Sequence, residues 1–247
     1  MGPDARLPRP LKRDLTITLL ALAALLAWDA SGLDLLLVQA WGGAQGFAWR
    51  DHWFTSGVLH SGGRWLAWGV LLALVAHALH PLAGTQTRGE RWRWLAVTLV
   101  ALLAVPLLKS GSRTSCPWDL ADFGGPAHYV SHWAWGIADG GGGHCFPSGH
   151  ATSAFAFFSG WFALRQRHPR AARLWLGLVL LFGVLFGAAQ MVRGAHYASH
   201  SLWTAWLCWT VAVVGYSRSW PLTTTAVSDT GSRSLRLLPS TKRSRST

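Results

Sequence analysis

Apolar residues occur along this chain in runs that approach the length needed to cross a lipid bilayer. Six such runs are separated by polar, glycine-rich or basic segments, and they cover residues 15–32, 64–82, 93–108, 148–164, 174–191 and 199–216. A membrane-spanning helix needs about 20 mainly apolar residues, so several runs lie near the short end of the range. The pattern predicts an all-α fold, a polytopic membrane protein built as a bundle of six transmembrane helices.

The remaining segments set the predicted domain organisation. Residues 42–63 are rich in glycine and aromatic residues and contain no apolar run of spanning length, and residues 109–147 are polar and glycine-rich. We expect a single membrane domain over residues 15–216. A basic segment, residues 1–14, precedes it, and a tail rich in Ser, Thr and Arg, residues 217–247, follows it and is expected to be disordered.

The composition supports a membrane location. Of the 247 residues, 51% are hydrophobic and 13% are charged, which is about half the charged share of a soluble domain. The 17 tryptophans suit aromatic belts at two membrane interfaces. The first apolar run lacks the small-residue cleavage site of a secretory signal peptide, so we expect it to remain as a helix.

The formal net charge of +12 is distributed unevenly along the chain. Six crossings would place 17 of the 22 basic residues on one side of the membrane: Arg6, Arg9, Lys12, Arg13, Arg88, Arg91, Arg93, Arg165, Arg167, Arg170, Arg173, Arg218, Arg233, Arg236, Lys242, Arg243 and Arg245. The positive-inside rule makes that side, with both termini, cytoplasmic. We therefore expect a multi-pass protein of the bacterial inner membrane, with membrane lipids rather than nucleic acid around it.

The turn before the fourth apolar run carries the first candidate chemistry. Ser148 and Gly149 precede a predicted helix whose free N–H groups and dipole favour an anion. His150 would then lie in the first turn, where it can exchange a proton with that anion. A capped helix with an incidental histidine is the alternative that these residues alone leave open.

Two more clusters of titratable residues fall on the same, non-cytoplasmic side. Lys109 ends the third run, with Arg113 four residues later. Between the fifth and sixth runs, Arg193 and His196 are three residues apart and His196 and His200 four apart, so that each pair shares a helical face. A lysine that extends to the membrane surface and solvated loop histidines are the alternatives.

The three clusters occur in a fixed order: Lys109 with Cys116-Pro117, then Pro147-Ser148-Gly149-His150, then Arg193, His196 and His200. This order resembles the type 2 phosphatidic acid phosphatase family, which shares its site with the vanadium haloperoxidases and has the pattern K-x6-R-P, P-S-G-H, S-R-x5-H-x3-D. The resemblance covers residues 109–206 by motif and the whole chain by its six-span layout. The match departs from the family pattern at sites that bear on its chemistry: Cys116 and Gln190 stand in place of arginines, and His200 stands in place of the aspartate.

The resemblance implies hydrolysis of a phosphate ester through a phosphohistidine, with the site at the extracytoplasmic ends of the helices. His196 would attack phosphorus, His200 would orient it, and His150 would act as acid and then base. The groups expected to hold the phosphoryl oxygens are Lys109, Arg193, Ser148, Gly149 and, in place of the missing arginine, Arg113. No cofactor and no metal are implied; the spacing of His144, His150, His196 and His200 does not match a zinc site.

The implied substrate is a lipid phosphate monoester or diphosphate, such as a phospholipid, polyprenyl or lipid A phosphate, reached from the periplasm or exterior. One alternative is a lipid phosphotransferase that uses the same phosphohistidine. A haloperoxidase is disfavoured by the membrane-embedded chain. A non-catalytic lipid-binding or accessory protein stays open because of the substitutions at Cys116, Gln190 and His200.

Two of the three cysteines lie beside the motifs, on the oxidising side of the membrane. A disulfide between Cys116 and Cys145 would join the loop after Lys109 to the turn before His150. Two buried free thiols are the alternative. Cys208 lies within the sixth apolar run.

Overall fold

The computed structural model describes residues 9–81, 86–134 and 136–217, and it is mostly helical, as predicted. The α-helices are α1 (Arg9–Ala30), α2 (Leu33–Gln39), α3 (Gly63–Leu79), α4 (Arg88–Ser110), α5 (Thr152–Phe155), α6 (Ser159–Leu164), α7 (Pro169–Val192) and α8 (Ala198–Ser217). A π-helix, Trp53–Gly62, leads into α3, and 3-10 turns cover Pro117–Asp119, Ala121–Phe123 and Ala156–Phe158. Strands β1 (Gly42–Gly43) and β2 (Gly46–Phe47) pair as a small antiparallel hairpin.

Three helices in this part of the chain are long and apolar enough to cross a membrane: Trp53–Leu79, Arg88–Ser110 and Pro169–Val192. The pair α1 and α2, bent by 66°, would make a fourth if it forms one span. Polar residues near the start of α8, such as His200 and Thr204, dilute its apolar character, and Thr152–Leu164 is shorter than a span. The count of six spans therefore stays a prediction.

The helices pack around an apolar core and expose apolar side chains outward. The core joins residues of α4, α5 and α8, including Val105, Phe155 and Ala212. Large apolar side chains are exposed on α1, α4, α7 and α8, among them Leu19, Leu20, Leu103, Leu107, Leu174, Val184 and Val214. Such a surface suits lipid better than water, and the apolar helices support a membrane protein.

The helix around α3 begins earlier than the sequence predicted. Glycines and hydroxyl residues interrupt the apolar pattern of residues 42–63, yet Trp53–Gly62 is helical. Its hydroxyls donate to nearby carbonyls: Thr55 to Trp49, and Ser61 to Ser56, five residues back. These bonds satisfy carbonyls of a wide helical turn, so the polar residues support a helix instead of ending it.

The start of α1 overlaps the basic segment set at residues 1–14 by the sequence. In the described residues α1 covers Arg9–Ala30, so it includes the last part of that segment, and the domain boundary stays a prediction. Asp14 is buried and accepts two hydrogen bonds from the Arg165 guanidinium, at 2.9 and 2.6 Å. This ion pair ties the start of α1 to the end of α6. The prediction of a disordered tail over residues 217–247 falls on residues that, from 218 onward, lie outside the described part of the chain.

The fourth apolar segment is helical only from Thr152, so the prediction that His150 lies in the first helical turn was wrong. Ser148 is instead tied to α8: its N–H donates to the His200 carbonyl (3.1 Å), and its carbonyl accepts from the Thr204 hydroxyl (2.9 Å). These bonds hold residues 148–151 as a turn.

Candidate active site

The three sequence motifs meet at one end of the helical bundle, around a cavity of about 400 Å3. The residues that line it are His60, Arg64, Lys109, Cys116, Trp118, Gly149, His150, Ser153, Gln190, Arg193, Ala195 and His196. They come from the end of α4, the turn before α5, the end of α7 and the π-helix before α3. The cavity is therefore built by helix ends that are distant in sequence.

Lys109 and the Gly149 backbone form one wall of the cavity. A Cβ built on Gly149 would lie 3.7 Å from Nζ of Lys109, so the ammonium sits directly over a residue without a side chain. A phosphoryl oxygen that reaches Lys109 would therefore also reach the Gly149 backbone. Lys109 is half-buried, which strengthens its attraction for an anion.

Arg193 is held by α7 and by the loop before the π-helix. Its Nε donates to the Arg50 carbonyl (2.7 Å), and its Nη1 donates to Oε1 of Gln190 (3.3 Å). The Gln190 amide lies 3.3 Å from Nδ1 of His60. Gln190, which replaces a family arginine, thus links Arg193 to His60 and fixes both side chains. Burial lowers the pKa of Arg193 below its usual value; the Asp51 charge opposes this shift, and the Arg50 charge adds to it.

His150 has one ring nitrogen engaged and one available. Nε2 donates to the Leu59 carbonyl at 3.2 Å, and Nδ1 is buried without a partner among the described residues. The His60 ring stacks on it, with centroids 4.4 Å apart. Burial, then the charge of His60, lowers the pKa of His150 to about 4 despite the Leu59 bond. A bound phosphate dianion would oppose both effects, because its charge favours the protonated ring.

His196 is buried and oriented by His200. The Nδ1 atoms of the two rings are 3.4 Å apart, which leaves Nε2 of His196 for chemistry at the cavity. Burial, followed by the charge of Lys109, lowers the pKa of His196 to about 3. The ring is therefore neutral near pH 7, which is the state that a histidine nucleophile needs.

The turn between α7 and α8 depends on Gly194. Its φ is +72°, and a Cβ there would come within 2.4 Å of the Phe47 ring. The N–H groups of Ala195 and His196 both donate to the Gln190 carbonyl. Asp34 of α2 accepts from the Ser199 N–H at 3.0 Å, so it caps α8. The chain needs this reversal to turn His196 toward Lys109.

A disulfide joins Cys116 and Cys145, which are 29 positions apart in the sequence. Sγ of Cys145 lies 2.9 Å from the Ala195 carbonyl oxygen and 3.4 Å from Nδ1 of His196. A disulfide sulfur has no proton to donate, so these are packing contacts. The disulfide connects the loop after α4 to the turn that carries His150 and lies against the His196 ring.

Reduction of this disulfide is expected to destabilise the protein by about 2–4 kcal/mol, because closing a loop of this size restricts the unfolded chain. Phosphate release should fall as well, since the turn before His150 loses its anchor. Thermal unfolding in detergent, followed by tryptophan fluorescence with and without a phosphine reductant, measures the change. The Cys208→Ala variant is the control, and equal melting temperatures in both redox states would contradict the prediction.

Two residues predicted to bind phosphate lie elsewhere. The Arg113 guanidinium is exposed, donates to the Gly136 carbonyl (3.1 Å), and lines a separate, mainly apolar cavity of about 480 Å3. α4 ends at Ser110, so the spacing of four residues from Lys109 does not place Arg113 on the same helical face. Ser148 is fully buried, and its hydroxyl accepts from the Ala151 N–H at 3.4 Å instead of lining the cavity.

His60 and Arg64 line the cavity and were not predicted from the sequence. His60 belongs to the segment 42–63, whose apolar pattern is interrupted, and Arg64 is the first residue of the second predicted run, so neither stood within one of the three motifs. Trp118 and Ser153 complete the wall. A helical reading of residues 53–64 would have placed His60 and Arg64 four apart, on one face.

The histidine pair also forms part of a group with metal-ligand atoms. Atoms of Cys145, His196 and His200 lie within 4.8 Å of one another. The Cys145 sulfur is bonded to Cys116 and is not a thiolate, so in the oxidised protein this group offers two imidazoles and not the three or four ligands of a zinc site.

Residues 91–223 match the family model described as the PAP2 superfamily. The matched residues contain Lys109, the Pro147-Ser148-Gly149-His150 motif, and the Arg193 to His200 segment. No curated protein and no solved structure matches the chain.

Proposed function

Because this chain belongs to the PAP2 superfamily, we propose that it is a membrane-embedded phosphatase that hydrolyses a lipid phosphate monoester or diphosphate through a phosphohistidine. Family membership supports a phosphatase-type hydrolase in general. One observation carries the finer proposal: the cations Lys109 and Arg193 share a cavity with His196, which is held neutral, and with His150, whose Nδ1 has no partner among the described residues.

In the first half-reaction, Nε2 of His196 attacks phosphorus and the bond from phosphorus to the ester oxygen breaks. His150 enters this step protonated on both nitrogens: its Nε2–H donates to the Leu59 carbonyl, and its Nδ1–H supplies the proton that the leaving oxygen takes. Positive charge develops on the His196 ring, and its Nδ1–H donates to His200. Lys109, Arg193 and the Gly149 backbone hold the phosphoryl oxygens as their charge changes.

In the second half-reaction, water attacks phosphorus and the bond to Nε2 of His196 breaks. His150, neutral after the first step, takes the proton of the water. Inorganic phosphate leaves, and both histidines return to their starting states. These residues perform every proton transfer of the cycle.

The surroundings of the cavity favour a lipid substrate. The cavity lies at the ends of helices with exposed apolar faces, so a phosphate there can keep its hydrocarbon chain in the bilayer. The excess of basic residues at the other ends of the predicted spans supports a periplasmic or exterior site in a bacterial inner membrane.

The catalytic efficiency, kcat/KM, is expected to fall as pH rises above about 4, by about tenfold per pH unit while free His150 loses its proton. The sign follows from the lowered pKa of His150, about 4: only the acidic form can protonate the leaving oxygen. His196 needs the opposite state and is neutral above about pH 3. Measuring kcat/KM from pH 4 to 8 checks this.

The His150→Gln variant is the control for that pH series, because ionisation of the substrate phosphate is common to both proteins. Its residual kcat/KM should vary less steeply with pH than that of the wild type. Parallel profiles would show that His150 is not the acid.

The proposed function is tested by phosphate release from detergent-purified protein with EDTA present. The panel consists of phosphatidate, phosphatidylglycerol phosphate, a polyprenyl diphosphate and lipid A. Free phosphate from at least one lipid, absent with the His196→Gln variant, is the expected result. A phosphorylated lipid product with little free phosphate would indicate phosphotransfer, and no reaction with any lipid would favour the non-catalytic alternative.

A further inference from the structure

The replacement of the family aspartate by His200 raises a question of tautomers. For Nε2 of His196 to be unprotonated, the ring proton of His196 must be on Nδ1 and must be donated to Nδ1 of His200, 3.4 Å away. A neutral imidazole carries one N–H. The proton of His200 is therefore on its own Nε2.

That second N–H needs an acceptor. His200 is completely buried, and its Nε2 has no hydrogen-bond partner within residues 9–81, 86–134 and 136–217. An unpaired buried donor costs about 1–3 kcal/mol. The opposite tautomer of His196 is no solution, because its proton would lie on Nε2 and remove the lone pair that must attack phosphorus.

His132 lies where an acceptor is needed. Its ring centroid is 5.9 Å from that of His200, with the ring planes at 83°, so the two imidazoles are direct neighbours that no hydrogen bond joins in the structure. The His132 ring is fixed by stacking on Phe146, with centroids 4.2 Å apart. Among the described residues, the ring of Tyr197 also faces His200, with centroids 5.1 Å apart.

Asp29, in the last turn of α1, sets the tautomer of His132. Its Oδ2 accepts from Nε2 of His132 at 3.2 Å and from the indoles of Trp133 and Trp203 at 3.0 and 2.9 Å. The carboxylate and the imidazole are both nearly buried, with side-chain exposures of 5% and 9%. With its proton on Nε2, His132 has a lone pair on Nδ1, the atom that an N–H of His200 requires.

We propose that Asp29 and His132 are positioning residues that act through His200, replacing the aspartate that the family places directly beside the nucleophilic histidine. A series of hydrogen bonds would run from His196 through His200 and His132 to the Asp29 carboxylate. His200 and His132 would each accept from the ring on the His196 side and donate toward Asp29. The proposal rests on the proposed function, and it adds one contact, from Nε2 of His200 to Nδ1 of His132. Asp29 lies outside the residues that match the family.

A double-mutant comparison of kcat tests this series of hydrogen bonds. Asp29→Asn should lower kcat roughly 10- to 100-fold, as loss of a partner behind a reactive histidine does elsewhere. In a His200→Asp background, where a carboxylate again contacts His196 directly, the same change should cost less than about threefold. Trp133→Phe, which removes another donor to Asp29, is the matched control and should keep the wild-type kcat.

An equal loss from Asp29→Asn in both backgrounds would overturn the proposal, because it would mean that Asp29 only anchors the fold. A second pair of variants tests it if His200→Asp does not fold. Glutamine at His132 can donate to Asp29 and accept from His200, whereas phenylalanine only stacks, so His132→Gln should retain at least about ten times the kcat of His132→Phe. Equal rates for that pair would contradict the proposed hydrogen-bond series. The proposed function would still hold if wild-type turnover depends on His196.

Discussion

Replacing His196 by glutamine is expected to lower kcat by at least about 10⁴-fold, because the protein loses the proposed nucleophile while keeping its other groups. Glutamine retains a donor and an acceptor but has no nitrogen lone pair that can attack phosphorus. The measurement is phosphate release from the preferred lipid at saturating concentration. Unchanged thermal unfolding would show that the variant is folded.

His128→Gln is the matched control for this change. His128 is exposed and does not line the cavity, so its replacement should alter kcat by less than about twofold. Substantial turnover by the His196 variant would mean that water attacks the substrate directly or that another residue is the nucleophile.

The second large effect is expected at Lys109. Replacing it by methionine keeps most of the length and removes the charge over Gly149, so kcat/KM should fall by about 10²- to 10³-fold. The comparison uses the same lipid and pH as for the wild type. Part of the loss should appear in kcat, because the phosphoryl oxygens change charge in the transition state.

Arg113→Met tests the assignment of phosphate contacts, since the sequence predicted Arg113 to be one of them. Its guanidinium donates to Gly136 and lines the separate cavity, so the change should cost less than about threefold. A loss as large as that of Lys109→Met would restore Arg113 to the site and contradict the geometry described here.

The sequence predicted much of the site because motif order survives folding. Lys109, Gly149, His150, Arg193 and His196 line one cavity, although they come from three separate segments. Their residue types suit the proposed chemistry, and their positions near the ends of apolar runs bring them to one end of the bundle. The mostly helical fold followed from the same runs.

Three features depended on contacts that spacing does not encode. His60 reaches the cavity because hydroxyls in Trp53–Gly62 bond to carbonyls and support a π-helix. Ser148 is withdrawn from the cavity by its bonds to α8. Arg113 follows the end of α4, where helical spacing no longer applies.

The chain of contacts behind His200 was equally hidden. Asp29 and His132 are 103 residues apart in sequence, and neither belongs to a recognisable motif. Only packing between the end of α1 and the loop after α4 brings them together. The substitution of histidine for aspartate was visible in the sequence, whereas its compensation was not.

The central claim, a covalent phosphohistidine at His196, is tested most directly by trapping the intermediate. Protein mixed with lipid labelled in its phosphate and quenched in alkali should carry label that is stable to base and lost in acid. Peptide mapping should place it on the fragment that contains His196, and the His196→Gln variant should carry none. Label on another residue, or rapid wild-type turnover with no trapped phosphoenzyme, would contradict the account.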